Sequence, residues 1–392
     1  MQRPAVVNVP NLCSERECLV KITSTLRSAG SRTLLVVSAW VVLVLPGAGA
    51  PLKGDSLVVG FLYVGPKDDH GYNQASALAA AVVKRMPGVK ILEVEKLPED
   101  NAVQAVMKNM IEIEGAKIIF ATSFGYLKPH VLIAAKKYPN VHFLHCGGPP
   151  EWIKDAPNVY TYTGNIDECQ YLSGIVAGRM TKSNKLGFVA AKPIPLVVRN
   201  INAFALGARS VNPKAEVHVC FTGNWSEPVK EADATELLLD KGCDVFTCHV
   251  DSPKVMVEAV EKAGKYSCGF QCNQSDLAPN GYLTGAEWNW ERLAVEIVTK
   301  FRKGEKVTQS IRGGLKEGIV KMSPYGKAVT EQAKKDADAA RVGIVDGSRV
   351  IFQGPLKNNE GKIEIAAGTK LASNDPELDS MRYFVEGVVI PR

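Results

Sequence analysis

Charge of one sign is scarce in this 392-residue chain, and no apolar run in it is long. Lys and Arg number 47 against 41 Asp and Glu, a net charge of +6. The first fifty residues hold five basic and two acidic groups, so the other 342 carry 42 against 39, mixed along the sequence. That balance excludes the basic stripe of a nucleic-acid binder. Histidine is rare, with six copies scattered along the chain. His142 and His145, three apart on one apparent strand, point to opposite faces and cannot share a metal. A P-loop, a GxGxxG opening a helix, a GxSxG elbow and an HExxH pair are all missing. The acidic residues are spread along helix faces. No enzyme constellation, metal site or cofactor site is therefore expected.

Paired cysteine is also wanting. Seven of the nine cysteines follow residue 50 (146, 169, 220, 243, 248, 268 and 272), an odd number. Cys243 and Cys248 would lie about 16 Å apart on an extended strand, and Cys268 and Cys272 about 13 Å. Neither pair closes a disulfide without a turn, and neither spacing is that of a zinc pair. They read as small buried hydrophobes.

What is present is globular in composition, with 46% hydrophobic and 22% charged residues, and of a length for two domains. At the front, Arg27 and Arg32 precede the uncharged run Thr33–Leu45, which Pro46-Gly47-Ala48-Gly49-Ala50 follows. A positive region, thirteen apolar residues and an A-x-A site read as a secretory signal. The rival is a membrane anchor, but the run falls short of the roughly 20 residues a spanning helix needs, and Pro46 and Gly47 would end it. No cysteine follows at a lipoprotein-like spacing. Residues 1–50 are thus expected to be a signal peptide whose long front end reflects a misassigned start. The mature protein is expected to begin near Pro51, in the periplasm or outside the cell.

From residue 56 onward, apolar runs of strand length alternate with amphipathic stretches of helix length. Strands are expected at 56–64, 89–94, 117–121, 141–145, 185–190, 215–221, 244–248, 267–271 and 281–285. Helices are expected at 73–86, 100–113, 127–137, 167–181, 197–210, 227–241, 253–265 and 289–303. Continuously apolar strands suit parallel sheets covered by helices on both faces. The pattern restarts near residue 170, which predicts two doubly wound α/β lobes. Lobe 1 is expected to hold 55–165 plus about 289–325, and lobe 2 to hold 170–285 plus about 326–392.

The loops at the strand ends carry aromatics beside amides and acids. They are Asp68 to Gln74, Ser123 to Tyr126, Thr222 to Trp225, His249 to Pro253, Gln271 to Gln274 and Glu287 to Trp290. Each is expected at the carboxyl end of a strand, where doubly wound sheets bind ligands. Flat π-faces with polar edges suit a planar, hydrogen-bonding heterocycle. Taken singly, each loop is explained as well by core capping and helix capping; six agreeing loops are not.

Four stretches of this sequence resemble the basic membrane protein family of ABC-importer solute receptors, typified by purine nucleoside receptors. They are Asp68 to Gln74, Tyr171 to Gly178 (YLSGIVAG), Asn202 to Asn212 (NAFALGARSVN) and Gly269 to Gln274 (GFQCNQ). The resemblance runs from about residue 55 to the end. It implies a type I periplasmic binding protein fold, two lobes joined by crossover strands with a ligand clamped between them. It also implies that Tyr72 and Trp225 are the aromatics that stack on a base, with Asn73 beside the first and Ser123 and Phe124 lining the pocket. Asp251, Gln271 and Trp288 complete the candidate ligand-binding set.

Two departures matter. An Asp that the resemblance assigns to ribose hydroxyls is Gln271 here, and a ribose-contacting Lys is Trp288. Together with Lys192-Pro193-Ile194-Pro195, the Trp288-Asn289-Trp290 pattern resembles a branch associated with free purine bases. The expected ligand is therefore an adenine-like nucleobase, with a nucleoside or another planar heterocycle such as a flavin as the alternative. The expected partners are that small molecule and the permease subunits of an ABC importer, with no nucleic acid, and the membrane reached only through the transporter. A purine-acting enzyme would need a nucleophile or metal in the cleft. A sugar-repressor-like regulator would need an N-terminal helix-turn-helix.

Overall fold

Runs such as Leu57–Leu62 (LVVGFL) and Lys185–Ala190 (KLGFVA) are apolar on both faces and form buried parallel strands in two sheets. A computed structural model describes residues 56–390. The expected signal region lies outside these residues. Among the described residues no helix is long and apolar enough to cross a membrane.

The first sheet contains β1 (Leu57–Leu62), β2 (Val89–Val94), β3 (Ile118–Ala121), β4 (His142–Cys146) and β5 (Val159–Gly164), side by side in the order β5-β4-β3-β1-β2. The second contains β6 (Lys185–Ala190), β7 (Glu216–Phe221), β8 (Val245–His249), β9 (Tyr266–Gln271) and β10 (Tyr282–Trp288), in the order β10-β9-β8-β6-β7. Counted from its own first strand, each sheet has the same doubly wound order. The reversal falls between β1 and β3 in one and between β6 and β8 in the other.

Successive residues of β1 serve opposite layers. Val59 and Phe61 pack beneath α1 (Tyr72–Lys84), while Val58 and Leu62 face α2 (Ala102–Glu112) and α3 (Leu132–Lys137). In the second lobe, Leu186 and Phe188 of β6 pack with α4 (Asp167–Met180) and α5 (Pro195–Val211). Val189 faces α6 (Pro228–Asp240) and α7 (Lys254–Lys262). Helices α4 and α5 touch backbone to backbone. A Cβ on Gly174 would come within 2.1 Å of the Phe204 carbonyl oxygen, and one on Gly207 within 2.0 Å of that of Tyr171. That contact explains the glycines of the YLSGIVAG and NAFALGARSVN stretches: no larger residue lets the two helices meet.

The chain crosses between the sheets three times: between Gly164 and Asp167, between Trp288 and α8 (Trp290–Arg302), and between β11 (Ser310–Gly313) and β12 (Val320–Met322). Helix α8 returns to the first lobe, with Leu293 and Ile297 beside Phe61 and Val83. β11 pairs with β5, and β12 pairs antiparallel with β10. The second sheet is thus already resumed at Val320, a few residues before the passage expected near 325. The C-terminal part adds α9 (Glu331–Asp346) and ends on Val388–Val389, which pairs parallel with β7.

Strand β5 and helix α9 fall outside the elements read from periodicity. In β5 (VYTYTG), hydroxyls alternate with aromatics instead of forming an apolar run. The helix expected over 127–137 becomes regular only at Leu132. Pro129, which lacks an N–H, sits in a wider turn before it.

Candidate functional site

All six aromatic and amide loops lie at carboxyl ends of strands, and the first is built around one carboxylate. Asp69 accepts the N–H groups of Gly71, Asn73 and Gln74 at 2.9, 3.0 and 2.9 Å, and the Asn73 Nδ2 at 2.7 Å. It satisfies the orphan donors at the start of α1. Asn73 Oδ1 in turn accepts the N–H of Gly65 at 3.1 Å. The Asn73 amide is therefore buried and engaged at both ends by its own loop. Tyr72, the first residue of α1, donates its hydroxyl to the Thr122 carbonyl at 2.5 Å. That bond spans the β1/β3 reversal. Burial raises the Tyr72 hydroxyl well above its ordinary pKa, so it stays protonated as a donor.

The two lobes meet on this loop. The Tyr72 N–H donates to the Asp251 carbonyl at 2.9 Å, the Ser252 hydroxyl to the Asp69 carbonyl at 3.1 Å, and the Gln274 Nε2 to the His70 carbonyl at 2.6 Å. A Cβ on Gly71 would stand 2.0 Å from the Asp251 carbonyl oxygen, so only glycine permits this approach. The Asp251 N–H donates to the Trp225 carbonyl at 2.7 Å. One residue thus connects the backbones of the two aromatics, one from each lobe. Burial, with the Asp69 carboxylate nearby, pushes the Asp251 carboxyl up to about 8.

Gln271 ends β9 with φ 77°, in the left-handed region that glycine favours. Such strain costs on the order of 1–3 kcal/mol and gathers at functional sites. Its Nε2 donates to the Val250 carbonyl at 2.8 Å, and its Oε1 accepts the Trp288 indole N–H at 2.8 Å. The Trp288 and Trp290 rings stack at 4.8 Å and 10°. A Cβ on Gly164, at the first crossing, would stand 2.7 Å from the Trp288 ring. The structure thus brings Tyr72, Trp225, Asp251, Gln271 and Trp288 into one connected group.

Ser123 and Phe124 behave differently. The Ser123 hydroxyl donates to Glu99 Oε1 at 2.5 Å, so the protein itself engages it. Phe124 is 57% exposed, 5.7 Å from Trp152 and 6.3 Å from His145. Among the described residues its ring pairs are with these two, and neither belongs to the connected group.

One buried side chain at the site was not among the candidates. His249, 5% exposed at the end of β8, lies 5.9 Å from Trp225 and 4.5 Å from Phe270, centroid to centroid. Its Nδ1 lies 2.8 Å from the Nδ2 of Asn200, a residue of α5. The sequence signal was its place at the head of the His249 to Pro253 loop. Its amide partner, 49 residues away, left no trace in the spacing.

Two sheets of repeated order, three crossings and a seam of strand-end loops where the lobes meet define a bilobed protein of the type I periplasmic binding fold. The family described as "ABC transporter substrate-binding protein PnrA-like" matches residues 56–355. The chain belongs to this Bmp family, whose members are substrate-binding proteins. A purine-binding protein of Brucella abortus is 34% identical over 342 residues, covering 87% of this chain and 95% of that protein. A putative ABC transporter glucose-binding protein of Haloferax volcanii is 29% identical, covering 87% and 82%. Among solved structures, an ABC transporter solute-binding protein of Conexibacter woesei superposes with a TM-score of 0.65 at 22% identity, over 76% of this chain and 100% of that one.

Proposed function

We propose that this protein is the extracytoplasmic receptor of an ABC importer and closes its lobes on a free purine base of the adenine type. Tyr72 and Trp225 stack on the two faces of the base, and the closed form is what the permease recognises. The observation that carries the choice of base over nucleoside is the bond between Trp288 and Gln271. The nucleoside receptors that this chain resembles place a base and an acid there to hold ribose hydroxyls. Here an indole and an amide satisfy each other, and in this reading the Trp288 ring takes the place of the sugar. The Brucella relative, named for purine binding, supports a purine ligand.

Calorimetric titration with adenine, adenosine and glucose tests it, alongside mass spectrometry of any small molecule that copurifies. Adenine is expected to bind more tightly than adenosine, and glucose not to bind. Tighter adenosine binding overturns the role given to Trp288. Binding of glucose alone overturns the purine reading.

A further inference from the structure

His249 closes β8 at the reversal of strand order in the second sheet, the position from which doubly wound folds address their ligands. Its ring stands beside Trp225, the aromatic assigned above to one face of the base. Asn200, completely buried, donates its Nδ2 to the Nδ1 of that ring at 2.8 Å. An amide donor at Nδ1 requires Nδ1 to be the unprotonated, accepting nitrogen of a neutral imidazole, so the ring proton resides on Nε2. Burial lowers the His249 pKa to about 3, which keeps the ring neutral.

Nε2 makes no hydrogen bond to any other described residue, yet it is not among the fully enclosed unpartnered atoms of the structure. It is therefore an unengaged donor of fixed tautomer, on a ring whose centroid stands 5.9 Å from that of Trp225. A histidine that served only to fill volume between Trp225 and Phe270 would need no amide to set its proton. Asn200 Oδ1 is itself buried and unpartnered, so this amide is held at an energetic cost that its contact with His249 alone does not remove.

We propose that His249, set as the Nε2–H tautomer by Asn200, donates a hydrogen bond to an in-plane acceptor on the edge of the bound heterocycle. His249 is then a specificity-determining residue and Asn200 a positioning residue. The inference rests on the purine reading above. It adds a demand on the ligand, which must present an unprotonated ring nitrogen, or a carbonyl oxygen, to the second lobe beside its Trp225 face. A purine offers such a nitrogen, whereas a ligand edged only by N–H or C–H groups there leaves a buried donor stranded.

The test uses the full chain, adenine, and the deazaadenines in which one ring nitrogen at a time is replaced by C–H. One of these analogues is expected to bind the wild type about 5- to 150-fold more weakly than adenine, the range for stranding a buried donor. His249→Phe should bind adenine more weakly by a similar factor and should no longer distinguish that analogue from adenine. His249→Gln, which keeps an N–H, should recover part of the difference. If every analogue discriminated by the wild type is discriminated equally by His249→Phe, the proposal is overturned. Nitrogen-15 NMR of the unsubstituted protein decides the tautomer without any variant. A proton on Nε2, whose resonance moves when adenine binds, is expected, and a proton on Nδ1 overturns the proposal. Failure of adenine to bind at all overturns the purine reading instead, and the tautomer measurement still judges the role of Asn200.

Discussion

The indole N–H of Trp288 donates to Oε1 of Gln271 at 2.8 Å, joining the end of β10 to the end of β9. Each side chain removes the other's unsatisfied polar atom from a nearly dry corner, since Gln271 is 2% exposed. Breaking one partner alone strands the other.

That pairing predicts the outcome of exchanging its members. Trp288→Lys should shift preference from adenine towards adenosine by placing a donor at the sugar end. Adding Gln271→Asp should shift it further, beyond the sum of the single changes. Coupling between touching residues is about 0.5–3 kcal/mol. Calorimetry on the four proteins with both ligands measures it, and strict additivity would show that the pair does not act as a unit.

Stacking predicts a simpler loss. An aromatic face on a base is worth about 1–3 kcal/mol, so Trp225→Ala should weaken adenine binding roughly 5- to 150-fold. Unchanged affinity in the same titration would remove Trp225 from the site.

Closure should be separable from the pocket through Gly71. A methyl there would press on the Asp251 carbonyl oxygen, which would lie 2.0 Å away. Overpacking of this kind costs typically 1–3 kcal/mol, so Gly71→Ala should bind adenine about 5- to 150-fold more weakly. No stacking residue has been altered. Small-angle scattering with saturating ligand should show a larger radius of gyration than the liganded wild type. Equal radii would mean that the lobes do not need this approach.

Asp251 predicts a pH dependence of binding. Its carboxyl is pushed up to about 8 from an ordinary 3.8, first by burial and then by Asp69, with Glu231 and Glu99 adding in the same sense against the bond from Gln271. The closed form therefore prefers the protonated acid, whereas an open, wetted cleft lets the group return towards its ordinary value. Closure then takes up a proton. Its advantage is complete below the ordinary value, declines as pH rises, and is lost above about 8. Adenine affinity should fall between about pH 5 and pH 8 and level off above that. Asp251→Asn should flatten the profile, and an unchanged slope in that variant would assign the titration to another group.

Much of the scaffold was legible because its strands are apolar on both faces, as in β1 and β6, and helices such as α2 and α8 carry one buried apolar stripe. β5 was not, because a crossover strand of alternating Thr and Tyr lacks the apolar run that marks a buried strand. The aromatics that the fold gathers at the seam, Tyr72, Trp225 and Trp288, were legible as flat side chains in strand-end loops. The state of the polar residues was not. Asn73 and Ser123 look alike in sequence as free amide and hydroxyl, but their atoms are engaged by Asp69, Gly65 and Glu99. Conversely, the Asn200–His249 contact joins two elements through the fold alone. Sequence spacing carries the period of an element but not the partner its side chains meet across the core.

Three bonds across the seam between the lobes each end on a main-chain carbonyl: that of Asp251, which accepts the Tyr72 N–H, and those of Asp69 and His70, which accept from the Ser252 and Gln274 side chains. Main-chain groups survive substitution of the side chains that surround them. The closed shape can therefore persist while Tyr72, Trp225, His249 and Trp288 are replaced one by one to suit another solute. A lineage built this way can exchange its solute while keeping the contacts that hold the two lobes together.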